Sequence, residues 1–236
     1  MDDVVSLVDV RASYEGERHA TLAGVTFSLS AREQLAITGP NGAGKTTVLE
    51  VVNGLLPVAS GTVRALGQPV TPTSHHLRTQ IAYVPQNLFF SPDTPFLVRD
   101  VVLAARFGSS RGWSLSMTED RRHVDRALEA VGIAALERRP IGRLSGGQQR
   151  KALLARSLAQ EARLLLLDEP TANLDPEAKR EVADLVALVR CDLGAAAIVV
   201  SHESGPLLEA SDRAVRIELG RIVDGFKSVR IPAVSH

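Results

Sequence analysis

The sequence predicts an α/β domain built around a mostly parallel sheet, and three observations lead to this fold class. Two short, uniformly apolar runs, in "RLLLLDEP" (163–170) and "AAAIVVSHE" (195–203), are typical of strands covered by helices on both faces. A glycine-rich loop, "GPNGAGKTT" (39–47), joins an apolar strand-like segment to a helical pattern. Alternating, β-branched segments near the start of the chain predict further strands.

The composition is that of a soluble globular protein, with 44% hydrophobic and 23% charged residues among 236. The 27 basic and 27 acidic residues balance, so there is no electrostatic footprint for nucleic acid, and we expect no nucleic-acid partner. No apolar run approaches the ~18 residues that cross a bilayer, and the acidic opening "MDDVVSLVDV" is unlike a signal peptide. Cys191, the only cysteine, excludes an intramolecular disulfide and suits the reducing cytoplasm.

The segments before residue 87 predict strands around one helix. The helix follows the glycine-rich loop in "TTVLEVVNGLL" and ends near Gly54. Alternating or β-branched segments predict the strands, which cover 4–14, 24–30, 34–39, 60–70 and 81–86, the last ending at Gln86.

Residues from about 87 to 158 form a predicted, mostly helical subdomain. Helical patterns occur in "VRDVVLAARFG" (98–108) and "MTEDRRHVDRALEAVGI" (117–133), with "GSSRGWSLS" (108–116) as a loop. In the second pattern the apolar residues fall on one helical face: Val124, Ala127, Leu128 and Val131. Apolar side chains on the proline-rich segment 87–100 predict a surface for a partner: Phe89, Phe90 and Phe96.

The α/β pattern returns after residue 158. Asp175 and Pro176 predict the start of a helix, because aspartate caps helix N-termini and proline suits the first helical position. The predicted buried face of this helix consists of Val182, Leu185, Val186 and Val189. Further on, "DRAVRIELGRIVDG" (212–225) predicts a hairpin that turns near Gly220.

The glycine-rich loop fits the phosphate-binding pattern G-x-x-x-x-G-K-[ST], and the strand before it and the helix after it argue against a chance match. Glycines let backbone N–H groups turn inward around phosphate oxygens, and the helix directs its N-terminus at the same anion. We expect Lys45 to contact the β- and γ-phosphates and the Thr46 hydroxyl to ligate Mg²⁺. The predicted nucleotide-binding residues of the loop are Gly39, Pro40, Asn41, Gly42, Ala43, Gly44, Lys45, Thr46 and Thr47.

A pair of carboxylates, Asp168 and Glu169, ends the apolar strand of "LLLLDEP". Ligands of parallel α/β sheets bind at this end of the strands. We assign Asp168 to Mg²⁺ and Glu169 to the water that attacks the γ-phosphate, since successive strand residues point opposite ways. Without the phosphate-binding loop, the pair would fit equally a solvated strand end that caps a turn.

The segment "RLSGGQQRKALLARSLA" (143–159) predicts a helix that Ser145 opens, with Gly146 and Gly147 in its first turn. Each glycine weakens a helix by about 1 kcal/mol, which favours a use for the bare N–H groups, such as anion binding, over a plain helix cap. The "LSGGQ" sequence at 144–148 closely resembles the signature of ATP-binding cassette (ABC) ATPases, and the motifs of that family occur in the expected order along essentially the whole chain.

This resemblance implies a P-loop NTPase of the ABC fold. The fold has a mostly parallel core sheet, an N-terminal antiparallel β subdomain and an inserted helical subdomain at about 87–158, all within one ATPase domain over residues 1–236. The implied ligands are ATP and Mg²⁺. Because the family's nucleotide sites form between two cassettes, the resemblance also implies that a second copy of the chain contributes to the site. Its contributing signature residues would be Ser145, Gly146, Gly147 and Gln148.

Four further residues take roles from the resemblance. Tyr14 matches the aromatic residue that stacks on adenine, although by itself it could be an ordinary strand-end aromatic. Gln86 matches the glutamine that reaches Mg²⁺ and the attacking water. Asp175 matches the aspartate of a loop that crosses the dimer interface, and His202 the histidine that contacts the γ-phosphate, although an isolated histidine after a strand is more often structural. The sequence departs from the commoner family pattern in two places: the aspartate loop reads "TANLD" instead of "SALD", and Ser201 stands before His202 instead of threonine. Neither change removes a chemical group from the site.

Among ABC proteins, the intact site disfavours a non-enzymatic ATP-gated scaffold, and the absence of a second cassette or fused membrane domain favours an importer subunit over soluble ABC ATPases and exporters. "VVLAARFG" and "RRPIGRLSGGQ" resemble the zinc, manganese and iron branch, with siderophore and cobalamin importers as close alternatives. The implied partners are a membrane permease and, indirectly, an extracytoplasmic substrate-binding protein, at the cytoplasmic face of the membrane. His75 and His76 are too few ligands for a zinc site and are predicted as solvated loop residues.

Overall fold

A six-stranded sheet forms the centre of the computed structural model, which describes residues 3–16, 20–86, 90–106, 117–201 and 205–228. Its strands are β3 (Gln34–Thr38), β6 (Ile81–Val84), β7 (Leu164–Asp168), β8 (Ala196–Val200), β9 (Arg213–Glu218) and β10 (Arg221–Ser228). They lie in the order β10-β9-β3-β8-β7-β6, and every neighbouring pair is parallel except β9 and β10. The mostly parallel core sheet is therefore confirmed.

A four-stranded antiparallel sheet stands beside it. Its strands are β1 (Val5–Ala12), β2 (Leu22–Leu29), β4 (Ser60–Ala65) and β5 (Gln68–Pro69), in the order β2-β1-β4-β5. The alternation of buried and exposed residues along β4 shows one face packed on the interior. This is the predicted N-terminal antiparallel region.

The helices begin and end close to the predicted positions. They are α1 (Lys45–Val52), α2 (His75–Arg78), α3 (Val98–Leu103), α4 (Met117–Ala130), α5 (Gly146–Ala159), α6 (Pro176–Leu193) and α7 (Pro206–Glu209). The Asp175 carboxylate accepts hydrogen bonds from the amides of Glu177 and Ala178, which confirms it as the cap of α6. The four residues of the predicted apolar face of the second helical segment are all buried.

Alternation along β7 and β8 divides the interior into two hydrophobic cores. On β7, Leu165 and Leu167 pack among the helices α3 to α6, whereas Leu164 and Leu166 face α1 and the antiparallel sheet. All four leucines are fully buried. Because successive side chains of a strand point to opposite faces, a uniformly apolar strand is what such a two-sided sheet requires.

The β9–β10 hairpin turns at Leu219 and Gly220, as predicted, with positive φ angles of 47° and 71°. A Cβ atom on Gly220 would lie 2.4 Å from the carbonyl oxygen of Thr21, so the close approach of the two segments requires glycine. The Gly220 amide donates to the Ala43 carbonyl oxygen at 3.0 Å, which fixes this turn beneath the glycine-rich loop.

Several local expectations were wrong. β6 ends at Val84, two residues before Gln86, which lies in a turn. His75 and His76 lie on the one-turn helix α2 rather than in a loop, although both are exposed as expected. Of the phenylalanines expected on the surface, Phe96 is 59% exposed, but Phe90 packs against the helical core.

Within the described ranges, no helix is both long enough and apolar enough to cross a membrane, and no group of three or more histidine, cysteine or acidic residues is placed to hold a metal ion. The predicted loop at 108–116, Phe89 and His202 lie outside the described residues.

Candidate nucleotide-binding site

The glycine-rich loop connects the end of β3 to α1 and wraps around the Lys45 ammonium group. Lys45 is only 6% exposed, and its Nζ donates to the carbonyl oxygens of Gly39 at 3.0 Å and Pro40 at 2.9 Å. Gly39 has a φ of 143°, and a Cβ there would lie 2.0 Å from the Ile217 carbonyl oxygen. The cation thus sits inside its own loop, held by two carbonyls that an entering anion can replace.

Thr46 and Asp168 meet at the carboxyl end of the parallel strands. The Thr46 hydroxyl donates to Asp168 Oδ2 at 2.9 Å. Asp168 is 2% exposed, and its Oδ1 has no hydrogen-bond partner within the part of the chain that the structure describes. Burial raises the pKa of Asp168, and the Glu169 and Glu50 charges add to this, against the Thr46 hydrogen bond and the Lys45 charge.

An unpaired, buried carboxylate oxygen beside a hydroxyl is a donor set that fits Mg²⁺. This cation is commonly bound through one or two carboxylates, with phosphate oxygens and water completing its coordination. Asp168 and Thr46 supply one carboxylate and one hydroxyl at 2.9 Å from each other. The desolvation that raises the pKa of Asp168 would be offset by such a cation.

Glu169 lies immediately beyond the strand and has a different partner. Gln86 Nε2 donates to Glu169 Oε2 at 2.8 Å. The two carboxylates are therefore separated, as expected, but strand alternation is not the cause, because β7 ends at Asp168 and Glu169 has a left-handed φ of 46°. A non-glycine residue held in this region stores local strain, which is common at functional sites.

A cleft of about 600 Å³ runs along these groups. The predicted residues that line it are Tyr14, Asn41, Gly42, Gly44, Lys45, Thr46, Thr47, Gln86 and Glu169. Gly39, Pro40 and Ala43 shape the loop behind it without lining it, and Asp168 lies buried under Thr46. Sequence analysis missed three lining residues, Thr21, Ala172 and Asn173. Thr21 lies in no motif, whereas Ala172 and Asn173 belong to the "TANLD" segment, of which only Asp175 was assigned to the site.

Tyr14 is anchored at one end of the cleft. Its hydroxyl donates to Glu50 Oε2 at 2.5 Å and lies 3.2 Å from Thr47 Oγ1. Glu50 was also missed, but a signal existed: it follows Thr47 by three positions and therefore shares a face of α1 with it. Glu50 and Thr47 together hold the phenol hydroxyl of Tyr14 and hence position its aromatic ring.

The signature segment lies elsewhere on the surface, since none of Ser145 to Gln148 lines the cleft of its own chain. Ser145 Oγ accepts from the Gln148 amide at 3.3 Å, and Gln148 Oε1 accepts from the Ser145 amide at 3.2 Å. This capping box confirms the predicted start of α5. A Cβ on Gly147 would meet nothing within 4 Å. Asp175 is likewise exposed.

A strand, a glycine-rich loop and a helix, with a buried aspartate at the end of a parallel strand of the same sheet, define a nucleotide-binding protein of the phosphate-loop class. A model of the family described as "ABC transporter" matches residues 22–172. The chain therefore belongs to the ABC transporter family, and its domain is the ATP-binding one.

Similar proteins agree with this assignment. The chain is 35% identical over 225 residues to the "Manganese transport system ATP-binding protein MntB" of Halalkalibacterium halodurans, covering 95% of this chain and 87% of that one. It is 39% identical over 191 residues to the "Zinc transport system ATP-binding protein TroB" of Treponema pallidum, covering 80% and 70%. The solved structure of cbiO1 from Clostridium perfringens, described as part of the ABC transporter complex cbiONQ, superposes with a TM-score of 0.82 at 28% identity, covering 97% and 90%.

Proposed function

We propose that this chain is the ATP-hydrolysing subunit of an ABC importer for a divalent metal ion, zinc or manganese, and that it drives a separate membrane permease. The proposal of ATP hydrolysis rests on two neighbouring carboxylates at the end of β7 that have different surroundings. Asp168 is buried with an unpaired oxygen, and Glu169 lines the cleft with its carboxylate held by Gln86.

Nucleotide binding exchanges internal hydrogen bonds for phosphate contacts. The Lys45 ammonium leaves the carbonyls of Gly39 and Pro40 for phosphate oxygens, while loop amides and the N-terminus of α1 face the same anion. Mg²⁺ would be held by Asp168 and Thr46, with Gln86 as a further ligand, and would neutralise phosphate charge. Tyr14 stacks on the adenine, its ring positioned by Glu50 and Thr47.

Glu169 supplies the base for hydrolysis. In the structure its Oε2 accepts a hydrogen bond from Gln86, which holds the carboxyl group beside the cleft that it lines. A water that bridges Glu169 and the γ-phosphate gives one proton to the carboxylate as its oxygen bonds to the γ-phosphorus, while the bond from that phosphorus to the bridging oxygen breaks and ADP leaves. His202, which lies outside the described residues, contacts the γ-phosphate in this proposal, and Lys45 stabilises the developing charge.

The second half of the site comes from another copy of the chain. Ser145, Gly146, Gly147 and Gln148 open α5 at the surface and do not line the cleft of their own chain. The N-terminus of α5 suits an anion, so we place it against the γ-phosphate bound by the partner. The exposed Asp175 loop then lies at the same interface. ATP bridges the two chains, and hydrolysis releases them.

The metal substrate rests on the relatives. Two of them, at 35% and 39% identity, are named for manganese and zinc transport. An ATPase subunit does not touch the transported ion, so the likeness of the whole chain supports this part rather than any residue of the cleft. The proposal places the chain at the cytoplasmic face of the membrane, with a permease and, indirectly, an extracytoplasmic substrate-binding protein.

The test is reconstitution in liposomes with the permease and binding protein encoded beside this chain. We expect ATP-dependent uptake of radioactive zinc or manganese and no uptake with Lys45→Ala. ATP hydrolysis that moves a different solute would contradict the metal assignment. ATP binding without hydrolysis in the complete assembly would contradict the enzymatic role and favour a scaffold.

A further inference from the structure

Arg150, the fifth residue of α5, contacts the turn that follows Glu169. Its Nη2 donates a hydrogen bond to the Ala172 carbonyl oxygen at 2.8 Å. Arg150 is half-buried, and among the described residues it has no other hydrogen bond and no ion pair. Guanidinium groups pair most strongly with carboxylates, yet this one, whose pKa burial lowers, is directed at a single backbone carbonyl. The contact therefore fixes a backbone position rather than neutralising a charge.

The turn that Arg150 contacts, residues 169–173, has unusual backbone conformations at both ends. Glu169 and Asn173 have left-handed φ angles of 46° and 58°, although neither is glycine. Ala172 lies between them and is buried, and its amide donates to the Glu169 carbonyl oxygen at 3.0 Å. Residues in such conformations persist where the surrounding structure restrains them. Arg150 supplies such a restraint from outside the turn.

Two further contacts hold Glu169 itself. Its amide donates to the Val200 carbonyl oxygen of β8 at 3.0 Å, and its carboxylate accepts from Gln86 at 2.8 Å. These contacts hold the first residue of the turn, whereas Arg150 holds the fourth, Ala172. Because the turn is fixed at both points, the Glu169 backbone has little freedom to rotate, and the direction of its side chain is fixed with it.

The helix that carries Arg150 is itself fixed in place. The neighbouring Gln149 is buried, and its Oε1 accepts a hydrogen bond from the Phe90 amide at 3.1 Å. Just beyond the other end of α5, Gln160 Nε2 donates to the Ile81 carbonyl oxygen of β6 at 2.9 Å. Since these contacts and the helical core attach α5 to the rest of the chain, the contribution of Arg150 is local to the turn.

We propose that Arg150 is a positioning residue for ATP hydrolysis, whose hydrogen bond to Ala172 holds the turn at 169–173 and thereby keeps the Glu169 carboxylate where it can take a proton from the attacking water. This inference rests on the proposed function, because it takes Glu169 as the base. Arg150 does not line the nucleotide cleft, so it acts on the reaction through Glu169 and not by touching the nucleotide.

The test compares Arg150→Met with the wild type by steady-state ATP hydrolysis, in the assembly with the permease encoded beside this chain. Methionine keeps much of the apolar stem but cannot donate to Ala172. Because small misplacements of a reacting group are costly, we expect kcat to fall roughly 10- to 100-fold. The KM for ATP should change by no more than about twofold, since the phosphate loop is untouched. Arg150→Lys, which keeps a charged donor, should restore most of kcat.

Lys151→Met is the matched control, because it removes the next cation of α5 and its ion pair with Glu181, and it should keep the wild-type kcat. A second comparison adds Arg150→Met to Glu169→Gln. If Arg150 acts through the base, the double variant should hydrolyse ATP within about twofold of Glu169→Gln alone.

A wild-type kcat in Arg150→Met, or a full additional loss in the double variant, would overturn the proposal. The same holds if kcat, ATP affinity and the melting temperature fall together and Arg150→Lys restores none of them, because Arg150 would then be a purely structural residue.

Hydrogen exchange separates this inference from the proposed function. In the isolated chain, peptides that cover residues 169–175 should exchange their amide protons roughly tenfold faster in Arg150→Met, because the amide of Ala172 loses protection, and at the wild-type rate in Lys151→Met. Unchanged exchange in Arg150→Met, beside normal hydrolysis by the wild type, would overturn the positioning role alone. A wild-type assembly that does not hydrolyse ATP would overturn the proposed function and the positioning role with it.

Discussion

The phosphate-loop side and the signature side of this chain are built in opposite ways. Around the phosphate loop, Lys45, Thr46 and Gln86 all have partners in their own chain, at 2.8 to 3.0 Å. At the signature, Ser145 and Gln148 cap each other on an exposed surface, and Gly147 faces open space. One side is a cleft lined by polar groups, and the other is an exposed helix end outside that cleft. In the proposed function, the cleft of one chain and the helix end of another together form one nucleotide site.

The largest expected effect is on the phosphate-loop side. Glu169→Gln keeps the size of the side chain and an oxygen for Gln86, but removes the base, so hydrolysis should fall by roughly 10²–10⁴. Binding of ATP should survive, because Lys45 and Asp168 are unchanged. The variant should therefore accumulate as an ATP-dependent dimer on size exclusion.

Lys45→Ala is the companion variant for this experiment, because it should lose ATP binding and remain monomeric. Phosphate release by purified Glu169→Gln at the wild-type rate would show that another group is the base. A variant that binds ATP yet stays monomeric would argue against the shared site, unless adding the permease restores dimerisation.

A negative charge introduced at Gly147 tests whether the signature side contacts the partner's nucleotide. Its position leaves room for a side chain within its own chain, so Gly147→Asp should fold and bind ATP normally. In a dimer, the new carboxylate would oppose the partner's phosphates, and like charges held at an interface cost several kcal/mol. We expect dimerisation of a Glu169→Gln/Gly147→Asp protein to weaken by roughly a hundredfold in analytical ultracentrifugation.

Gly147→Ala is the matched control, and by helix propensity alone it should stabilise α5 by up to about 1 kcal/mol. An ATP-dependent dimer of undiminished affinity in the aspartate variant would remove the signature from the nucleotide interface.

A smaller effect is expected at the adenine end of the cleft. Tyr14→Ala should weaken ATP binding by about 1–3 kcal/mol in calorimetry, the scale of base stacking on aromatic residues. Tyr14→Phe keeps the ring but removes the hydrogen bonds to Glu50 and Thr47. It should weaken the free energy of ATP binding by about 0.5–1.5 kcal/mol. Equal affinity in all three proteins would mean that Tyr14 does not hold the base.

The smallest effect concerns Asp175, which has a local role and a proposed interface role. Asp175→Ala removes the cap of α6 and should lower the free energy of unfolding by about 1 kcal/mol in urea, whereas Asp175→Asn should retain it. Both substitutions remove the charge, so a dimerisation defect shared by both would belong to the interface. A stability loss shared by both would show that the charge, rather than the cap, matters.

Most helices and strands could be predicted from the sequence, because the residues that specify each of them lie close together in the chain. The cap at Asp175, the turn at Gly220 and the apolar face around Val124 each depend on residues within a few positions of one another. Lys45 and Thr46 could be picked out as candidate site residues for the same reason, since the phosphate-binding pattern is contiguous in the sequence. The separation of Asp168 from Glu169 was anticipated with the wrong cause, because a positive φ has no signal in a non-glycine residue.

By itself, the sequence determined which chemical groups the protein has and which short elements carry them: the phosphate loop, the acidic strand end and the capped signature helix. Only the tertiary structure decided which groups meet. Thr46 and Asp168 are 122 positions apart, and Gln86 and Glu169 are 83 apart. Their contacts depend on β3, β8, β7 and β6 lying side by side. Strand order arises from long-range packing, which no local pattern of residues encodes.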